Sequence, residues 1–146
     1  MKESTNIVAL MVKDHCKIEQ LIEEFEANVE KDYPVMMKSF NKFEWNLEKH
    51  IFVEEKAIFT CYNPEDVIEG YKMLPQVTKQ HNVILNELHL MRRDIRNKRR
   101  ITNVYGFKEF LIKHKNFEEK DVYPKLDQAL NDQQKQLIAE RIKEII

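Results

Sequence analysis

Apolar residues recur along this chain at alternating steps of three and four, the spacing that lines one face of an α-helix. The first stripe runs Val8, Met11, His15, Ile18, Ile22, Phe25, Val29. The second, opening just after Pro34, runs Met36, Phe40, Phe43, Leu47, His50, Glu54, Ala57, Cys61. Pro34 suits a first helical turn, where a missing N–H costs nothing. Pro64, Gly70 and Pro75 read as the break before a third stripe of Leu74, Val77, His81, Ile84, Leu88, Met91 and Ile95. The fourth, Val104, Phe107, Leu111, His114 and Glu118, is expected to end before Pro124. A shorter amphipathic segment follows from about Asp132 to Ile145, with Asn131 or Asp132 as its N-cap. Four such helices joined by short connections predict an all-α, antiparallel up-down-up-down four-helix bundle with a short C-terminal fifth helix. Residues 1–146 read as a single domain, with no strand pattern, linker or low-complexity stretch.

Composition agrees and narrows the field. The chain is 42% hydrophobic and 34% charged, with only two glycines and four prolines, too few breakers for a sheet with its frequent turns. A formal net charge of −1 supplies no field to recruit nucleic acid or a membrane. The longest wholly apolar run, Ile7 to Val12, is far short of a bilayer span. The N-terminus lacks an apolar secretory core, and Cys16 and Cys61 make no disulfide framework. A reducing, cytoplasmic setting is the expectation.

The informative feature is polar. Each of the four stripes contains a histidine near its middle, and two contain a glutamate one turn later. His50 with Glu54, and His114 with Glu118, stand at i and i+4, so both members point the same way, toward the bundle axis. The stretch HIFVEEKAIF, residues 50–59, nearly recurs as HKNFEEKDVY, residues 114–123, and KDHCKI around His15 is matched more weakly by KQHNVI around His81. The chain therefore reads as a helical hairpin and its internal repeat. A buried carboxylate without a partner costs several kcal/mol or changes its protonation state. No Lys or Arg lies on the stripes to compensate, whereas a pair of divalent cations would. One His–Glu pair alone is usually an ordinary hydrogen-bonded core pair; four histidines at matching depth with two glutamates in register point to metal. Imidazole and carboxylate donors in a bundle core suit iron first and manganese second, and depart from the thiolate-rich sets of structural zinc.

These motifs, DHCKIEQL, HIFVEE, QHNVIL and HKNFEEKDVYP, resemble those of the hemerythrin-like, or HHE cation-binding, domain family over essentially the whole chain. The resemblance implies a non-haem di-iron site in an antiparallel four-helix bundle, with two bridging carboxylates and an oxo or hydroxo bridge. Carried over by position, it makes His15, His50, His81 and His114 terminal ligands and Glu54 and Glu118 the bridges. It implies binding or sensing of O2, NO, another small diatomic or anionic ligand, or redox state, by electron transfer from two ferrous ions to a ligand at an open position. Two other readings stay open. One is a di-iron enzyme of nitrosative or oxidative stress, reducing NO or peroxide or repairing iron centres. The other is an interaction domain whose metal is structural.

The chain also departs from the oxygen-carrying members. Their fifth histidine, one turn after the helix-three ligand, is here Leu85. With four histidines, two bridging carboxylates and one solvent bridge, each iron keeps only five ligands, so both can take an exogenous one. That favours reaction or sensing over reversible carriage. The carriers also place their helix-four carboxylate five residues after the histidine, at Glu119 here; Glu118 repeats the His50–Glu54 spacing and is preferred. Glu55 and Glu119 read as solvated or as outer partners, Glu19 as a surface charge, and His89 as a flank residue about 12 Å from His81 along the axis. RRDIRNKRR, residues 92–100, reads as ordinary complementation of a helix C-terminus. Cys16 is expected to be buried and inert, Phe43, Phe107, Met11 and Met91 to be core, and Tyr105 and Tyr123 to be within reach of the site.

Overall fold

The computed structural model describes residues 7–59 and 68–145, with the backbone alone described over 68–73. Helix α1 spans Ile7–Asn28, and α2 spans Tyr33–Val53 and runs into a π-helical turn, Glu54–Ile58. Helix α3 is Ile68–Arg96, and α4 is Val104–Phe117. A second π-helical turn, Glu118–Val122, links α4 to the short α5, Tyr123–Ala129, and α6 is Asp132–Ile145. The result is an all-helical bundle, with no strand among the described residues. No helix among them is long and apolar enough to cross a membrane.

Local chemistry explains most of the boundaries. Asp32 precedes α2 and Pro34 occupies its first turn. Helix α3 ends where Lys98 adopts φ 54°, with the Lys98 N–H donating to the Ile95 carbonyl and the Arg99 N–H to the Asp94 carbonyl. That is the paired-bond stop most often built on glycine. Asn131 caps α6 reciprocally: its Oδ1 accepts from the Gln134 N–H at 2.8 Å, and Gln134 Oε1 accepts from the Asn131 N–H at 2.9 Å.

Two expectations about prolines and glycine fail. Gly70 and Pro75 lie inside α3 rather than breaking the chain before it. An interior proline costs about 3 kcal/mol, but Val77, Ile84, Leu88, Met91 and Ile95 are all buried on the same helix. At about 1.5–3 kcal/mol each, their burial outweighs one lost bond. Pro124 likewise does not end the fourth helical run, because α5 starts at Tyr123 with the proline in its first turn. Pro64 and Cys61 lie outside the described residues.

The pairings along the helices are ordered. On α1 against α2, Asp14 meets His50 and Phe25 meets Phe40; on α1 against α4, Glu19 meets Lys115 and Glu26 meets Lys108. Partner numbers fall as α1 rises in both cases. The core has two parts. One, rich in aromatics, holds Phe25, Phe40, Phe43 and Phe107, with Phe25 and Phe40 crossing edge-on at 5.2 Å between centroids. The other gathers Ile7, Met11, Val77, Tyr123 and the α6 residues Ile138 and Ile142. On α1 and α3 the buried histidine lies between residues of the two parts, and on α2 the His50–Glu54 pair spans their boundary. The fold thus holds its polar residues in a layer enclosed by apolar packing above and below.

Candidate metal centre

All six residues singled out by spacing are buried: His15, His50, Glu54, His81, His114 and Glu118 are each no more than 6% exposed. They converge as two overlapping groups, His15, His50, Glu54 and Glu118 on one side, and Glu54, His81, His114 and Glu118 on the other. Within each group the donor atoms lie within 4.8 Å of one another, about the width of a coordination sphere whose bonds are about 2.0–2.2 Å.

Glu118 sits between the groups with one oxygen toward each. Its Oε1 is 3.0 Å from His15 Nε2 and 4.0 Å from His50 Nε2; its Oε2 is 3.1 Å from His114 Nε2 and 3.5 Å from His81 Nε2. Glu54 straddles the other diagonal, Oε1 lying 2.9 Å from His81 Nε2 and 3.6 Å from His50 Nε2. Every imidazole therefore turns Nε2 inward. Each Nδ1 points outward onto a named acceptor: His50 to Asp14 at 2.7 Å, His81 to Glu55 at 2.7 Å, His114 to Gln80 at 2.5 Å and His15 to Glu119 at 2.7 Å. When a ring is neutral, its acceptor favours the tautomer with the proton on Nδ1, so that the Nε2 lone pair faces the centre. They also close a ring, α1 supporting α2, the first π turn supporting α3, α3 supporting α4, and the second π turn supporting α1.

Sequence reading did not find Asp14 or Gln80 in these roles. Both lie one residue before a histidine of the stripe, off the apolar face, where they look like surface residues. The signal was the repeat, which puts a polar residue before both lone histidines and a second glutamate after both inward ones. Glu119 and Glu55 are outer partners rather than members of either donor group, and Glu118 rather than Glu119 points inward.

The π turns place a further group. The first begins at Glu54 and the second at Glu118, and each closes with an i+5 backbone bond, from Phe59 to Glu54 and from Tyr123 to Glu118. On a regular α-helix residues five apart lie about 140° apart around the axis; the wider turn brings them onto one side. Tyr123 consequently reaches the site, its hydroxyl donating to Glu54 Oε2 at 2.5 Å and lying 3.1 Å from Glu118 Oε1 and 3.3 Å from His15 Nε2. Tyr105 does not; it is 66% exposed, with Lys108 over its ring. Cys16 is exposed and not buried, because it follows His15 on the outward side of α1. Glu19 pairs with Lys115 at the surface, and His89 is exposed.

The charges are strongly coupled. Burial opposes a proton on His50, but Glu54, Asp14 and Glu118 outweigh it and push that imidazole up to about 10. His81 is likewise raised to about 10, burial being overcome by Glu118, Glu54 and Glu55. Burial and the neighbouring Glu118 charge raise Glu54. Glu118 goes the other way: burial would raise it, yet the surrounding imidazoles, His114 and His15 foremost, hold it well below the usual carboxylate range. Burial, with Glu118 and Glu54 beside it, pushes Tyr123 well above the usual phenol value.

Protons thus balance much of the charge, but not all of the geometry. Among the described residues, buried His50 Nε2, His114 Nε2 and Glu118 Oε2 make no well-aligned hydrogen bond, although the last two lie 3.1 Å apart. All three face the centre. Unpartnered buried polar atoms are rare because each costs about 1–3 kcal/mol, and here they are the donors that a cation would take up. A family model described as the hemerythrin HHE cation-binding domain matches residues 6–126. The chain belongs to that family. Searches of the curated proteins and of the solved structures each returned no match. In this HHE domain the matched region contains all six inward donors and all four outer acceptors, and the donor set fits a cation.

Proposed function

We propose that this HHE domain, as a single cytoplasmic unit, holds two iron ions in an antiparallel up-down-up-down bundle of four helices closed by α6, and binds or senses O2, NO or a similar small ligand. His15 and His50 would hold one ion, His81 and His114 the other, with Glu118 and Glu54 shared between them; manganese is the next candidate. When bound, the pair supplies electrons to a ligand at an open coordination position. The protein's own contributions are separate. The four outer acceptors hold each lone pair inward, Glu118 keeps its charge between the two halves, and the two apolar core layers exclude water.

One observation carries the gas-ligand reading. A cavity of about 40 Å³ abuts His15, His50 and His114, walled by Ile18, Leu47, Ile84 and Leu111. Its size admits one small molecule and its walls are apolar. At its outer side stand Glu19, Glu23, Lys108 and Lys115. That is a place for a small molecule beside the imidazoles, and no place for a bulky substrate.

The test is anaerobic loading with ferrous iron, metal counting, and absorption spectra before and after O2 or NO. Two irons per chain and a new charge-transfer band on adding gas are expected. Leu111→Phe, which fills the cavity, should leave the iron count unchanged and slow the spectral change at least tenfold. No iron uptake would end the proposal.

A di-iron enzyme is the second reading. It is favoured by Leu85, which stands at the fifth-histidine position and packs against the aromatic part of the core, so each half offers only four protein groups. Turnover of NO or peroxide by the loaded protein separates the two.

A further inference from the structure

Pseudo-symmetry invites the assumption that the two halves of the centre are equivalent. The outer acceptors differ. In the first half both imidazoles rest on carboxylates: His50 on Asp14 Oδ2 at 2.7 Å and His15 on Glu119 Oε2 at 2.7 Å. In the second half His81 rests on Glu55 at 2.7 Å, but His114 rests on the amide oxygen of Gln80 at 2.5 Å. The carboxylates are also unequally exposed. The Asp14 side chain is 4% exposed, Glu119 26% and Glu55 34%. Water screens Glu55 most and Asp14 hardly at all. The second half therefore has one carboxylate in the wetter position and one neutral acceptor, against two better-buried carboxylates in the first.

A negatively charged acceptor on Nδ1–H pushes electron density toward Nε2 and makes the imidazole a stronger donor to a cation, and replacing such a partner typically costs about 10–100-fold in affinity. A neutral amide fixes the ring equally well but adds no charge. Glu54 and Glu118 belong to both halves, so the outer acceptors, with the Tyr123 hydroxyl beside His15, are what separates them.

We propose that the two cation positions are inequivalent: the one held by His15 and His50 fills first and more tightly, and the Asp14/Gln80 difference sets that order. Asp14 and Gln80 are positioning residues, acting through His50 and His114. This rests on the two-cation reading above, and the experiment distinguishes their failures.

Zinc, which undergoes no redox change, is titrated calorimetrically into the metal-free protein, with ring ¹⁵N spectra of the histidines recorded at one equivalent. Two steps separated by about 10–100-fold are expected, with the His15 and His50 resonances moving to their bound positions first. Asp14→Asn, which retains an acceptor of the same shape, should weaken the first step about tenfold. Gln80→Glu should strengthen the second. The double variant Asp14→Asn/Gln80→Glu should reverse the filling order, so that His81 and His114 move first. A purely structural role for Asp14 would lower thermal stability without inverting that order. Two equal steps in the parent, an Asp14→Asn loss shared evenly by both steps, or an unchanged order in the double variant overturns the inequivalence and leaves the two-cation site standing. No uptake of zinc or ferrous iron overturns both.

Discussion

The first hairpin, α1 with α2, and the second, α3 with α4, meet one requirement with nearly the same residues. Each places a lone histidine opposite a His-x-x-x-Glu pair and ends that pair in a π turn. Two of the matched positions where they differ touch the inward donors. Asp14 in the first hairpin stands where Gln80 stands in the second, and Phe59 after the first π turn stands where Tyr123 follows the second. Phe59 stacks on His81 with centroids 6.4 Å apart, and Tyr123 stacks on His15 at 5.7 Å, so the rings keep their place. Only the tyrosine adds a hydroxyl among the carboxylates. What the repeat preserves is the geometry of the inward donors; what it varies is the charge and hydrogen bonding around them.

The sharpest way to break the comparison is to neutralise the matched glutamates one at a time. In the metal-free protein Glu118→Gln removes the charge that the surrounding imidazoles share, and should cost about 3–5 kcal/mol in chemical unfolding. Glu54→Gln should cost less than half as much, because the Glu54 carboxyl is already raised toward the neutral form. Equal losses would show that the two glutamates are interchangeable.

Exchanging the aromatics comes next. Tyr123→Phe leaves Glu54 Oε2 without its donor and should destabilise the metal-free protein by about 1–3 kcal/mol. The reciprocal Phe59→Tyr should change stability by under about 1 kcal/mol, because its half-buried ring gains no comparable obligation. Unfolding curves of the two variants check both.

The acidity of the centre offers a third test. His50 and His81 each go from an ordinary 6.5 to about 10 in the folded, metal-free chain. Their stabilising contribution is fully present below pH 6.5 and is lost as pH rises through 10. The Tm of the metal-free protein should therefore fall as pH is raised from 6.5 to 10. Cation binding should release protons and tighten over the same range. A metal-free Tm that rises with pH would contradict this assignment. The smallest effect is expected at the surface, where Lys115→Ala removes the pair with Glu19 and should shift stability by about 0–1 kcal/mol, with cation affinity unchanged.

The sequence made the six inward donors legible because helical periodicity and burial are the same information seen twice. Met11, His15, Ile18 and Ile22, like Val77, His81, Ile84 and Leu88, follow one period and are all buried. Two of the four outer acceptors, Asp14 and Gln80, were not legible, since an aspartate or glutamine one step off the stripe resembles any solvated residue until the neighbouring helix is in place. The π turns left no local signature either. They extend the reach of Glu54 and Glu118 to the residue five places on, where periodic reasoning at three and four does not look. Pro75 and Pro124 misled for a related reason: a proline is penalised locally, whereas the packing that tolerates it is not local.

Helix α6 has a practical consequence for anyone trimming the chain. The family match stops at residue 126, yet Ile138, Ala139 and Ile142 beyond it are buried, two of them in the cluster that encloses Tyr123. A truncation at the match boundary would retain every inward donor while unroofing the phenol, so a fragment judged complete by homology would admit solvent to the carboxylates it was made to study.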